Sequence, residues 1–121
     1  MRKFLQHLIE QDRSLQICAA LGDALHLEQA LAQARPDLAI VDVGLPGMGG
    51  IKVVKLLRQA RPELSVLVLS AHNEVFYVEA ARRAGVDGYL MKEHAFEWLH
   101  LAIDFLRRRL GFFALSAMPG A

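Results

Sequence analysis

The chain has 121 residues, of which 54% are hydrophobic and 22% charged, with a formal net charge of +1. Its size fits one domain, its apolar content excludes intrinsic disorder, and its near-neutral charge offers no basic field for nucleic acid. No apolar run approaches the roughly 18 residues of a membrane span, and the single cysteine, Cys18, excludes an internal disulfide or a cysteine metal cluster.

Nothing at the start has the pattern of a signal peptide, so a reduced, cytoplasmic domain is expected. Phe4, Leu5, Leu8 and Ile9 recur at helical spacing and predict a first helix. Leu15-Gln16-Ile17-Cys18-Ala19 alternates and predicts a strand covered on one face. Asp23 is a candidate N-cap for a helix over 24–34, which the Arg35-Pro36 step ends. Leu38-Ala39-Ile40-Val41 is a continuous apolar run that stops at Asp42. Ile51, Val54 and Leu57 share one face of a helix stopped by Arg61-Pro62. A second apolar run, Ser65-Val66-Leu67-Val68-Leu69, stops at Ser70. Asn73 can cap a helix over 74–84, and Gly85 supplies its left-handed exit. Gly88-Tyr89-Leu90-Met91 stops at Lys92. A last helix runs from about 95 to about 110, with Phe96, Leu99, Ile103, Leu106 and Leu110 as its core stripe. Trp98, Leu101 and Phe105 form a second stripe on that helix. Strands that alternate with helices imply an α/β, doubly wound parallel sheet joined by right-handed crossovers.

In such sheets the chemistry sits at the carboxyl ends of the strands. Those ends carry Asp42, Ser70 and Lys92. Each alone has an ordinary reading, as turn former, helix cap or solvated cation. Together they suit phosphoryl transfer onto a carboxylate. Asp42 is then the nucleophile. Ser70 donates to a phosphoryl oxygen, and Lys92 neutralises its charge. Gly44, Gly47, Gly49 and Gly50 suggest a phosphate cradle, but Lys52 stands where G-x-G-x-x-G needs glycine, and the P-loop pattern also fails. A small flavodoxin-like nucleotide- or cofactor-binding protein is the rival reading. His7, His26, His72, His94 and His100 share no metal-ligand spacing.

The stretch Asp42-Val43-Gly44-Leu45-Pro46-Gly47-Met48-Gly49-Gly50, the triplet Leu69-Ser70-Ala71 and the run Ala84 to Lys92 resemble three motifs of one family. Ser70 lies 28 positions after Asp42, and Lys92 lies 22 after Ser70. Over residues 36 to 103 the chain resembles the receiver domain of bacterial two-component response regulators, which has the CheY-like fold. The resemblance implies that Asp42 is the phosphoacceptor and that Leu45, Pro46 and Gly50 belong to its loop. It implies that Ser70 and Lys92 contact the phosphate and that Tyr89 is the switch aromatic. A histidine kinase is the implied donor and Mg²⁺ the implied cofactor, in a signalling protein rather than an enzyme. Glu93-His94 after the lysine resembles the subgroup that precedes a LuxR/NarL-type DNA-binding domain, with no direct DNA binding by this chain. Trp98, Leu101 and Phe105 become candidates for a homodimer interface.

One family feature has no match. The family's first strand ends in two acids that hold Mg²⁺ with the phosphoacceptor, whereas Glu10 and Asp12 fall at the end of the first helix. The expected organisation is a receiver over 1–110, incomplete at its start, with a linker-like tail over 111–121. Asp42 alone is a poor Mg²⁺ site, so weak phosphate acceptance is expected. A phosphorylation-independent pseudo-receiver that acts as a dimerisation module is the alternative. The unpaired strand edge can be met by upstream residues, by a strand-swapped dimer, or by Phe112 to Ser116 folding back as a substitute strand.

Overall fold

The computed structural model describes residues 2–17, 27–43, 49–71 and 75–114. These fall into two compact units, residues 1–36 and 37–121.

The first unit contains helices α1 (Arg2–Glu10) and α2 (Leu27–Ala34). Leu5 and Leu8 of α1 and Leu31 of α2 are buried, as the helical spacing requires. Arg35 adopts φ 49° and Pro36 follows, which stops α2 where predicted. The strand expected at 15–19 does not form over Leu15 to Ile17, and Cys18 and Ala19 lie outside the described residues. Instead Asp12 builds a turn, in which its carboxylate accepts from the Ser14 amide at 2.9 Å and the Ser14 hydroxyl at 2.6 Å. An alternating segment becomes a strand only beside a neighbour that takes its backbone hydrogen bonds, and among the described residues no strand pairs with these three.

The second unit is the sheet. Strands β1 (Leu38–Val43), β2 (Ser65–Ser70), β3 (Gly88–Met91) and β4 (Phe112–Ala114) lie in the order β1-β2-β3-β4. Every neighbouring pair is parallel. Helices α3 (Gly49–Ala60), α4 (Val75–Ala84) and α5 (Ala95–Arg107) form the connections. All six residues of β2 and all four of β3 are buried, which explains their unbroken apolar runs. Ile51, Val54 and Leu57 turn the predicted face of α3 inward. Gly85 leaves α4 at φ 105°, the conformation expected of it.

The last helix starts where expected, at Ala95, but its core stripe differs from expectation at both ends. Its core face is Ala95, Leu99, Ala102, Ile103 and Leu106, while Phe96 and Leu110 are 69% and 50% exposed. Two alanines give the small surface that lets α5 lie close to the sheet. The helix stops at Arg107 rather than near 110, and Arg109 takes a left-handed conformation, at φ 62°. Leu110 therefore lies beyond the helix, and helical spacing no longer directs it.

The segment expected to be linker-like supplies β4. The strand does not replace a central one. It pairs with β3 at the edge opposite β1, with Gly88, Tyr89 and Leu90 in register with Phe112, Phe113 and Ala114. Side chains alternate across the sheet, and this alternation separates the helices. A Cβ on Gly88 would lie 3.6 Å from Leu106 of α5, and the Phe112 ring meets Phe105 of α5 edge-on at 5.3 Å. Arg82 of α4 stacks over Phe113, one residue on, at 4.0 Å. α4 and α5 therefore cover opposite faces, and α3 packs with α4. The sheet advances in one direction throughout, so the β3-α5-β4 crossover has the opposite hand to the two before it. Right-handed crossovers are nearly universal, which makes the last one left-handed and corrects the expectation that all are right-handed.

Gly88 is what permits β4. A Cβ there would stand 2.9 Å from the Phe112 carbonyl oxygen and 2.9 Å from Leu67. Gly88→Ala is expected to lift β4 from the sheet while β1–β3 persist. Limited proteolysis after Leu110 checks this, with faster cleavage of the variant as the expected result.

Candidate functional site

Parallel strands bring their carboxyl ends to one edge. Asp42, the penultimate residue of β1, has a side chain 35% exposed. Lys92 follows β3 directly and opens a short 3₁₀ turn, Lys92–His94. Its Nζ lies 2.5 Å from Asp42 Oδ1. Ser70 closes β2, fully buried and in register with both Val43 and Met91. Tyr89 is 1% exposed and in register with Val68, two residues before Ser70. By the pleat, Ser70, Tyr89 and Phe113 share one face. The acid, the amine and the hydroxyl thus converge on three adjacent strand ends, as their sequence positions predict. The expected switch aromatic lies on the hydroxyl's face.

Gly50 stands in the first turn of α3, half-buried, while Leu45 and Pro46 lie outside the described residues. His72 and Asn73 lie outside them as well. Trp98, Leu101 and Phe105 are half-buried along α5, and Phe105 is already in contact with Phe112 of its own chain. Trp98 Nε1 is buried and, among the described residues, has no hydrogen-bond partner. An unpaired buried donor costs about 1–3 kcal/mol. Trp98→Phe is therefore expected to match or exceed the wild-type stability, despite its smaller ring, in a urea titration.

Among the described residues no group of three His, Cys, Asp or Glu side chains forms a metal site. Asp42 Oδ1 is held by Lys92, whereas Mg²⁺ needs near-octahedral oxygen ligation. The described residues do not fit this ion, although receiver domains generally bind it. Nor is any described helix long and apolar enough to cross a membrane.

The opposite edge of the sheet carries a cluster that sequence reading did not find. The Arg58 guanidinium donates to the carbonyls of Pro62, Leu64 and Gly85 and to Asp87 Oδ2, at 2.6–2.9 Å. Asp87 Oδ2 also accepts from the Val66 amide at 2.8 Å, and the Asp87 carbonyl accepts from Phe112 N at 3.2 Å. The acidic residue just before the last predicted strand was a usable signal for half of this pair. Arg58, on another helix, had none.

Comparison with known proteins agrees with this geometry. The family model of the response regulator receiver domain matches residues 1–104. The chain is 29% identical over 109 residues to the DNA-binding transcriptional activator EvgA of Escherichia coli K12, covering 90% of this chain and 52% of that protein. It is 38% identical over 90 residues to the probable transcriptional regulatory protein TcrX of Mycobacterium tuberculosis, covering 74% and 38%. The chain thus spans about half or less of the length of these curated relatives. Among solved structures, the isolated receiver domain of RcsB from Salmonella enterica serovar Typhimurium superposes with a TM-score of 0.82 at 22% identity, covering 93% of this chain and 84% of that one. A LuxR-family response regulator from Aurantimonas superposes equally well, at 25% identity, covering 91% and 79%. With Asp42, Ser70 and Lys92 gathered at the carboxyl edge of a parallel sheet, the chain belongs to the response regulator receiver domain family.

Proposed function

We propose that Asp42 is the phosphoacceptor of this receiver domain and that a histidine kinase is its donor. The observation that carries this reading is the Asp42–Lys92 ion pair beside the buried Ser70. An Asp42 carboxylate oxygen attacks the phosphorus of a phosphohistidine. The phosphorus–nitrogen bond breaks, and the imidazole nitrogen keeps the electron pair. Lys92 is a point cation already placed to neutralise the charge that builds on the phosphoryl oxygens. Ser70 supplies a hydroxyl to one of those oxygens, and Tyr89 follows Ser70 along their shared face. The result is a shift between two conformational populations driven by new charge-assisted contacts. The family is one of signalling proteins rather than enzymes, and transcription is the output we infer from relatives such as EvgA.

We assign a homodimer to the working protein, with the half-buried Trp98 and Leu101 on α5 at its interface. Structures of RcsB, for comparison, include two dimers bound to two parallel DNAs. Trp98→Glu is expected to lower the dimer fraction in sedimentation without loss of helical signal.

Incubation with a small-molecule phosphodonor, read by intact mass, tests the central claim. A single phosphoryl adduct is expected, at low stoichiometry because, among the described residues, no further acidic side chains complete a metal site with Asp42. Asp42→Asn should remove it. Equal labelling of the Asn variant, or no labelling of the wild type, overturns the assignment.

A further inference from the structure

The outer edge of β3 holds a strand that the chain can hold only awkwardly by itself. Three observations show this. The β3-α5-β4 connection is the one crossover of opposite hand, a topology that right-twisted strands disfavour. Its turn from α5 into β4 forces Arg109, a residue with a Cβ, to φ 62°, a region that glycine adopts far more easily. The strand itself is short, three residues from Phe112 to Ala114. Against these stands a well-made seat. The Gly88 hydrogen admits the Phe112 carbonyl, Phe105 receives the Phe112 ring, Arg82 stacks on Phe113, and the Asp87 carbonyl binds Phe112 N.

We infer that the outer edge of β3 is a strand-binding site whose partner in the dimer is residues 112–114 of a second copy. Exchange keeps every contact of the seat, because the incoming segment is identical. It removes what is unfavourable in the single chain. The handedness rule applies to a connection within one chain, and a strand from another molecule makes no such crossover. The four residues 108–111 then extend, reaching up to about 14 Å, and Arg109 leaves its left-handed conformation. The closed hinge is held by the Arg108, Arg109 and Leu110 amides, which donate to the Phe105 and Leu106 carbonyls at 3.0–3.1 Å, and by Arg109 Nη1 donating to the exposed Glu63 carbonyl at 3.1 Å; extension exchanges these bonds for bonds to water. This inference rests on the homodimer reading and specifies how the two copies join.

The full-length chain tests it by sedimentation equilibrium over a range of concentrations. Arg109→Pro cannot adopt positive φ, so it is expected to shift the population to dimer. Arg109→Gly relieves the closed hinge and is expected to shift it to monomer, with the two dissociation constants at least about tenfold apart. Complementation gives a second readout. Phe112→Asp combined with Phe113→Asp leaves the edge open but disables the tail. Gly88→Ala closes the edge but keeps the tail. Each alone should be monomeric, and an equimolar mixture should form a 1:1 heterodimer. A dimer that persists in the Phe112→Asp, Phe113→Asp chain overturns strand exchange and leaves the homodimer reading intact. Monomers throughout, including Arg109→Pro and the mixture, overturn both.

Discussion

Replacing Arg58 by alanine is expected to lower the folding stability by about 2–4 kcal/mol. The guanidinium ties together the end of α3, the turn into β2, the exit of α4 and the residue before β3, through four hydrogen bonds. Hydrogen bonds to a charged group contribute roughly 1.5–3 kcal/mol apiece. The sum does not apply here, because the Arg58 side chain is 25% exposed and that of Asp87 42%, and water replaces part of what is lost. Arg58→Lys should recover little. A lysine presents one compact charge, whereas this site uses a planar fork whose two terminal nitrogens each serve two acceptors. Asp87→Ala removes the acceptor of the Val66 amide, and Val66 is fully buried. Its expected cost is about 1–3 kcal/mol. Urea titrations check the series through the midpoint at constant slope. A lysine variant as stable as wild type would show that charge, not geometry, holds this edge.

Tyr89→Ala is expected to cost about 3–5 kcal/mol, the range for truncating a buried aromatic ring. The ring is the largest fully buried side chain in the chain's described core. It stands on a central face between Val68 and Phe113. Its loss empties a space flanked by α4 and loosens the seat of β4 at once. Tyr89→Phe keeps the ring and should cost no more than about 1.5 kcal/mol. This pair separates packing from signalling. If Tyr89 is the switch aromatic, the Phe variant folds and takes phosphate yet gives an altered dimer response to it. An Ala variant of wild-type stability would show that the ring is not part of the core.

The parts of the fold legible in sequence are those in which local pattern and burial agree. The unbroken runs of β2 and β3 are apolar because both their faces are covered, and the α3 stripe of Ile51, Val54 and Leu57 lies inward as spaced. Asp42, Ser70 and Lys92 were legible for a topological reason, since each ends a run and parallel strands end together. What escaped was decided between distant residues. Phe112 to Ser116 reads as a possible strand, but its place beside β3 was not legible, because Phe112 to Ala114 is too short to carry a period and the pairing depends on a missing Cβ at Gly88. Arg58 meets Asp87 across 29 positions, with no local sign of the contact. The end of α5 was misplaced because neither glycine nor proline marks it, and Arg109 takes the role glycine usually plays. Leu15 to Ile17 has the alternation of a strand but, among the described residues, no neighbouring strand to pair with.

The direction of β4 has a further consequence. α5 carries the chain away from the carboxyl edge, and without β4 the polypeptide would depart at the far end of the sheet from Asp42. Running parallel to β3, β4 reverses this. Ala114 is in register with Leu90, two residues before Lys92. β4 therefore ends on the side of the sheet that carries the lysine holding Asp42. A fluorophore attached at position 114 reports from the phosphoacceptor end while β4 is seated, and moves away from it once the strand is released. The last residue of β4 is thus a built-in pointer whose displacement can be read as a distance.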